Sequence, residues 1–214
     1  MPKLKPEEME SRKREIIEAA CRCFLRSGFH QTTTDEICHE AAITPGGLYH
    51  HFGSKDEIIQ AVIEDTARRT VERLDSVAQG SGDLRSAGRE VASFILEAMR
   101  HPSMDSMTGL DVEIWAESLR NEKLAEVTRR SWALRRQWLE SIVRQGVAEG
   151  LYRDKVDPKG LANLFLAISA GVRVGRLLWR DDFDADSVLG MLFLMYTGRL
   201  IRRRPAVGEV VSGG

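Results

Sequence analysis

The chain has 214 residues, 43% of them hydrophobic, which is enough to bury a core without disulfides or metals as staples. Its formal net charge is -1 at pH 7, so any basic surface must come from the placement of charges rather than from their excess. The three cysteines have no paired spacing and predict free thiols in a reducing compartment. Without a leading apolar run or a membrane-length apolar stretch, the sequence predicts a cytoplasmic protein with no membrane partner.

Helical periodicity begins near the N-terminus, where Pro6 is placed to open a first helix and Gly28 to end it as a C-cap. Thr33 is followed three residues later by Glu36, and this spacing forms a capping box. It predicts a second helix of about two turns over 34–41. No strand pattern appears in the sequence.

A very short third helix is predicted after a tight turn at 42–44. Thr44 is a good N-cap and Pro45 a good first helical residue, because proline presets φ and its missing N–H would have had no partner there. Leu48 and Phe52 are four residues apart, so they share one face and can dock on a core. Two short helices joined by a tight turn form a helix-turn-helix, whose second helix reads DNA.

The rest of the chain also predicts helices. Ser54 and Glu57 form another capping box, which opens a long helix that ends near Gln79. Further helices are predicted over 83–100, 110–119 and 121–149, from Pro158, and from Asp184 or Asp186. A looser stretch is predicted over 103–109, of which 104–109 is a candidate entrance loop, and a disordered tail is predicted over 205–214. The expected fold class is all-α, with about nine helices.

With these residues laid out, roughly the first 65 residues resemble the TetR/AcrR family of bacterial transcriptional regulators. The resemblance is carried by Gly28, Phe29, Thr32, Thr33, Ile37, Ala41, Ile43, Thr44, Gly46, Leu48, Tyr49, His51, Phe52, Ser54, Lys55 and Glu57. It implies an N-terminal three-helix DNA-binding domain over 1–60 and a C-terminal helical bundle for ligand binding and dimerisation over 61–214. It also implies a homodimer on a palindromic double-stranded DNA operator, with half-sites roughly 34–36 Å apart.

Carried over position by position, the resemblance implies ten DNA-contacting residues: Thr33, Thr34, Thr44, Pro45, Gly46, Gly47, Tyr49, His50, His51 and Lys55. The segment 44–46 would face base edges, His50 would lie near bases or backbone, and the two helix-2 threonines would join Tyr49, His51 and Lys55 on phosphates. The alternative for the exposed members is an ordinary solvated side chain. Gly47 stands where the family often has threonine, and Ala42 where it usually has glycine.

Ten residues of the C-terminal part are candidates for ligand contact, because Met and Trp side chains pack adaptably around irregular apolar ligands. They are Phe94, Met99, Met104, Met107, Leu110, Ile114, Trp115, Trp132, Trp138 and Phe165. Taken singly, each fits a plain core position better, since any bundle needs an apolar stripe; together they favour a pocket. The nearby acids Asp111, Glu113 and Glu117 are expected on a solvated face, with a cationic ligand as the alternative.

The last two predicted helices are too apolar for an isolated surface pair and are candidates for a four-helix dimer interface. The residues proposed for it are Leu164, Ile168, Val172, Gly175, Leu189, Phe193 and Tyr196. The alternative is that they close the core of the monomer.

These patterns predict a DNA-binding transcriptional regulator, a repressor that a small apolar ligand releases from its operator. A constitutive or architectural DNA-binding protein without effector is the alternative, and a helical-bundle enzyme a remote one. The sequence contains no nucleophile–base pair, metal-ligand spacing or glycine-rich phosphate loop, so we expect no catalytic residue, no metal and no cofactor.

Overall fold

The computed structural model describes residues 6–80, 101 and 103–196. Within these ranges the chain forms helices and no strands, which confirms the all-α prediction. The helices are α1 (Pro6–Ser27), α2 (Thr34–Glu40), α3 (Pro45–His51), α4 (Lys55–Gln79), α5 (Ser103–Ser118), α6 (Glu122–Ala148), α7 (Pro158–Trp179) and α8 (Ala185–Tyr196), with a 3-10 turn at Arg180–Asp182. The helix predicted over 83–100 and the predicted tail over 205–214 lie outside the described residues.

The chain divides into two compact units, Met1–Val174 and Gly175–Gly214. Within the first unit, α4 packs against both α1 and α6, and α5 packs against α1 and α6. One hydrophobic cluster joins Phe24, Ile37 and Leu48 near the N-terminus to Ile114 and Leu124 farther along the chain. The hydrophobic core continues across the domain boundary that the sequence predicts near residue 60. That boundary therefore stays a prediction, which concerns the functions of the two parts.

The predicted start signals act as expected in the first three helices. Thr33 and Glu36 form the complete capping box: the Glu36 N–H donates to the Thr33 hydroxyl at 3.2 Å, and the Thr33 N–H donates to the Glu36 carboxylate at 2.7 Å. The Gly47 N–H donates to the Thr44 hydroxyl at 3.2 Å. Ala42 adopts a left-handed φ of 52°, which costs alanine about 1 kcal/mol.

One prediction was wrong. The stretch 103–109 is not a loop, because α5 begins at Ser103 and runs through it to Ser118. Gly109 and the polar residues around it resemble a loop in the sequence. Thr108, however, is buried, and its hydroxyl donates to the Met104 carbonyl inside the helix at 2.8 Å. Because the side chain is satisfied within its own helix, the polar run does not interrupt α5.

The predicted start signals of the last two helices are also found. The Gly160 N–H donates to the Asp157 carboxylate at 3.0 Å, so Asp157 caps α7 and Pro158 is its first residue. Of the two aspartates considered for α8, Asp184 is the cap, since the Ser187 N–H donates to its carboxylate at 3.1 Å.

Helix α7 is apolar yet poorly covered. The segment Pro158–Asp182 is long and apolar enough to cross a membrane by length and composition alone, since its most apolar 18-residue window has a mean hydropathy of 1.4. Only 17% of its most apolar window is buried within the chain. Its exposed side chains include Leu164 and Phe165. The same features fit a helix that packs against a second protein chain.

Candidate nucleic-acid interface

Helix α3 has an anchored face and an exposed one. Leu48 is 0% exposed and Phe52 is buried beside it, so these two side chains fix the seven-residue helix to the core. Tyr49 is 55% exposed, and Pro45 and His50 are also exposed. The side chains predicted to touch DNA thus project from a helix that the core holds in place.

The two threonine caps differ in what they still offer to a phosphate. The Thr33 N–H is taken by the Glu36 carboxylate at 2.7 Å, and the Thr33 hydroxyl lies 3.3 Å from the same carboxylate. The predicted phosphate contact of Thr33 would therefore compete with the capping interactions that Thr33 already makes with Glu36. The Thr44 hydroxyl accepts from Gly47 and keeps its hydrogen for donation. Thr34 is half-buried at the first position of α2.

Lys55 is held in position rather than freely solvated. Its ammonium donates to the His30 carbonyl at 3.2 Å and lies 4.6 Å from the centre of the Phe29 ring. Partial burial lowers the pKa of Lys55, while the nearby carboxylates of Asp56, Glu113 and Glu36 oppose that shift. An ammonium has three donors, so two remain for other acceptors such as a phosphate.

His51 is half-buried at the end of α3. Burial lowers the pKa of His51 first, and the nearby charges of His50, Lys13 and Arg12 lower it further. Lys13 lies 5.7 Å from the centre of the Phe52 ring, so the start of α1 brings positive charge to the C-terminal end of α3. In the sequence, the basic run at 12–14 is the feature that indicates this contribution.

This arrangement predicts a pH effect on DNA binding. The lowered pKa keeps His51 neutral in the free protein at pH 7, whereas a DNA phosphate would favour its charged form. Binding would then take up a proton, so affinity should rise as pH falls below the ordinary histidine value of about 6.5. Fluorescence anisotropy with labelled operator DNA across this range would measure the effect.

In the same titration, His51→Gln should lower the number of protons taken up on DNA binding by up to about one. His39→Gln is the matched control, since His39 is exposed on α2. An unchanged pH dependence in His51→Gln would exclude a phosphate contact by this side chain.

The two glycines of α3 have room for side chains. A Cβ at Gly46 would meet nothing within 4 Å, and one at Gly47 would lie 3.4 Å from the Thr44 hydroxyl, an ordinary contact. Replacing Gly47 with threonine should therefore be accommodated and should supply the phosphate-binding hydroxyl that the resemblance leads one to expect. We predict that Gly47→Thr tightens DNA binding by roughly tenfold, as one added hydrogen bond to a charged group would.

Gly47→Val is the control for that measurement, because valine has the branched shape of threonine and a similar helix propensity but lacks the hydroxyl. Equal affinities of the two variants in a gel-shift titration would show that no phosphate lies within reach of position 47.

Helix α5 contacts the connection between α1 and α2. The Phe29 N–H donates to the Glu113 carboxylate at 2.7 Å, and His30 lies 3.9 Å from the Glu117 carboxylate. Gly28 adopts a φ of 78°, and a Cβ there would lie 2.5 Å from Glu113. These two glutamates therefore face the α1–α2 connection, rather than solvent or a cationic ligand as the sequence suggested. Phe29 in turn supports Lys55.

A small cavity of about 40 Å³ lies among α1, α4, α5 and α6. Five of the ten predicted ligand residues line it: Met107, Leu110, Ile114, Trp115 and Trp132. Of the others, Met104, Trp138 and Phe165 do not line it, and Phe94 and Met99 lie outside the described residues. The Trp138 indole N–H instead donates to Asp75 of α4 at 3.2 Å.

The lining is more polar than the predicted apolar pocket. Polar and charged residues contribute to it: Cys21, Thr66, Asp111, Thr128, Ser131 and Arg135. The three cysteines of the chain are free, and Cys21 is the half-buried one. Burial raises the pKa of the Cys21 thiol and keeps it neutral.

The residues proposed for the dimer interface fall into three groups. Leu164 is exposed and Ile168 is half-buried on α7. Val172 and Gly175 are buried within the single chain, and a Cβ on Gly175 would lie 2.7 Å from the Phe183 ring. The side chains of Leu189, Phe193 and Tyr196 lie outside the described part of the structure.

A helix-turn-helix with an anchored recognition helix defines a DNA-binding protein. The family described as "Bacterial regulatory proteins, tetR family" matches residues 16–62, and "BetI-type transcriptional repressor, C-terminal" matches residues 87–193. The chain belongs to the TetR family of bacterial regulatory proteins. It is a DNA-binding transcriptional regulator and not an enzyme, as the sequence predicted.

Relatives support this assignment along most of the chain. The transcriptional repressor KstR2 of Mycobacterium tuberculosis is 30% identical over 155 residues, covering 70% of this chain and 74% of that protein. The regulator UidR of Escherichia coli K12 is 28% identical over 165 residues, covering 77% and 81%. The structure of Salmonella enterica GusR superposes with a TM-score of 0.69 at 28% identity, covering 93% of this chain and 99% of that one.

Proposed function

We propose that this regulator is a cytoplasmic homodimer that represses transcription from a palindromic operator and leaves it when a small ligand binds the α4–α5–α6 cavity. One observation carries the proposal: α5 both lines the cavity and holds the connection that leads from α1 into the helix-turn-helix. Leu110 and Ile114 line the cavity, and Glu113, from the same two turns, accepts the Phe29 N–H. A movement of α5 would therefore change both the cavity and the contact between Glu113 and Phe29.

The size of the cavity argues for such a movement. Pockets for small molecules usually measure about 300–1,000 Å³, far more than the 40 Å³ found here. A ligand would have to select a conformation in which α5 lies farther from α4 and α6. The protein would then shift toward the state that binds the ligand better, and the contact between Glu113 and Phe29 would change with it.

The coupling needed for release is modest. A coupling free energy of about 1–3 kcal/mol changes affinity for the second partner by roughly 5–150-fold, and the effect is reciprocal. Loss of one hydrogen bond to a charged group supplies about 1.5–3 kcal/mol, which is of the required size. The bond between Phe29 and Glu113 is therefore strong enough to couple the two sites.

The proposed dimer rests on α7 and on the family. An apolar helix with little of its surface buried in the single chain would bury that surface against a partner, and Leu164 and Phe165 are among its exposed side chains. Two copies related by a two-fold axis would present two α3 helices to successive major grooves, which requires a palindromic site.

The test begins with duplexes selected from a random library by the full-length protein. We expect an inverted repeat bound by two chains, and a footprint on the protein's own upstream DNA. The fluorescent probe 8-anilino-1-naphthalenesulfonate, added to the complex, should displace the operator. Operator affinity that stays constant at saturating probe would favour a constitutive DNA-binding protein, the alternative that the small cavity supports.

A further inference from the structure

Arg135 of α6 lines the cavity, and no carboxylate of the described residues forms an ion pair with it. Its Nε atom is buried, and no atom of the described residues accepts a hydrogen bond from it. Burial lowers the pKa of Arg135, because removing the guanidinium from water disfavours its charged form. The next residue, Arg136, has a comparably sheltered side chain but forms an ion pair with Glu140 at 2.6 Å.

The carboxylate that lines the cavity together with Arg135 is already engaged. Asp111 of α5 lines the cavity and favours the charged form of Arg135, but it accepts from the Arg173 guanidinium of α7 at 2.7 Å. Arg173 therefore occupies the one carboxylate in the lining, and the positive charge of Arg135 is left in excess. Cys21, the other titratable group in the lining, is neutral because burial raises its thiol pKa.

We propose that the cavity binds the anionic group of an organic acid, and that Arg135 is the residue that binds it. This inference rests on the proposed function and adds the class of ligand. A guanidinium offers two parallel N–H donors that match a carboxylate or sulfonate. The buried Ser131 is one helical turn from Arg135 and adds a hydroxyl on the same side of α6.

The cavity volume fits this division of roles. A water molecule needs about 10–15 Å³ of cavity volume measured with a water-sized probe, so a space of about 40 Å³ accommodates a small charged group and little else. The apolar body of the ligand would displace neighbouring side chains such as Trp115 and Trp132, which line the same cavity. The cavity thus already has space for the charged group of the ligand, whereas its apolar body fits only after neighbouring side chains move.

A first measurement compares the stability of two neighbouring variants. An arginine kept for a ligand destabilises the free protein, whereas a paired arginine stabilises it. Arg135→Met should therefore raise the thermal midpoint by about 2–4 °C, and Arg136→Met should lower it by a similar amount. If Arg135→Met lowers the midpoint as much as Arg136→Met does, Arg135 is a structural residue and the proposal fails.

A second measurement uses two probes with the same body. The sulfonate of 8-anilino-1-naphthalenesulfonate is absent from N-phenyl-1-naphthylamine, so the pair isolates the acid group. In fluorescence titrations of the full chain, Arg135→Gln should weaken sulfonate binding by roughly tenfold or more, with little change for the neutral probe. Arg129→Gln removes the same charge from an exposed position of α6 and should change neither.

Asp111→Asn provides the opposite test, because it removes the carboxylate that competes for the guanidinium groups. It should tighten binding of the sulfonate probe. Equal weakening of both probes by Arg135→Gln, or no weakening of either, would overturn the proposal. If Arg135 controls sulfonate binding but the probe does not displace operator DNA, the acid site stands and the proposed release mechanism fails.

Discussion

Replacing Gly28 with alanine is expected to lower the free energy of unfolding by about 3 kcal/mol. Gly28 has a φ of 78°, and a left-handed alanine costs about 1–2 kcal/mol. The new Cβ would lie 2.5 Å from the Glu113 carboxylate, which would have to withdraw from the Phe29 N–H. Loss of that bond adds about 1.5 kcal/mol or more. Urea denaturation of the full chain would measure the sum.

Gly150→Ala is the matched control for this variant. Gly150 has a similar φ of 72°, but a Cβ there would meet nothing within 4 Å. Its replacement should cost only the backbone strain, about 1–2 kcal/mol. If the two alanine variants were equally stable, the contact between α5 and the α1–α2 connection would contribute nothing, and the proposed route from cavity to DNA would lose its support.

Leu48→Ala is expected to cost about 2–5 kcal/mol of stability, the range for a buried leucine, and to abolish specific DNA binding. Leu48 is 0% exposed and anchors α3, which has only seven residues. A helix this short does not persist in water without packing against the rest of the protein. The loss should be visible both in urea denaturation and in anisotropy with the selected operator.

Tyr49→Ala, at the next position, should give the opposite pattern. Its side chain is 55% exposed, so stability should stay within about 0.5 kcal/mol of the original protein. Operator affinity should fall by roughly tenfold through loss of a phosphate contact. A Tyr49→Ala protein that is destabilised but binds DNA normally would show that this tyrosine belongs to the core.

The sequence predicted most helix starts because their signals are local. Thr33, Thr44 and Asp157 each act on N–H groups two to three residues away, so their spacing in the sequence is the same as in the structure. The start of α5 was missed for the opposite reason. Thr108 resembles a loop residue until its burial is known, and burial depends on helices far away in the chain.

The predicted DNA interface and the cavity also differ in how far local sequence patterns indicate them. The face of α3 that we expect to contact DNA was predicted from a contiguous motif, and Tyr49 and His50 are exposed in the structure. The contact between Phe29 and Glu113 joins residues 84 positions apart, and no local pattern indicates it. Arg135 was missed because a charged residue on an amphipathic helix is normally solvated. Only the packing of α6 shows that this one is not.

The position of Lys55 has a further consequence for how the protein holds DNA. Its ammonium rests on the Phe29 ring, and the Phe29 backbone is held by Glu113 of α5. Each lysine that neutralises a phosphate expels about one condensed counterion from the double helix. In the proposed mechanism, movement of α5 would disturb the support of Lys55. The ligand would then change how many ions leave the DNA when the protein binds, and so how strongly the ionic strength of the cell governs repression.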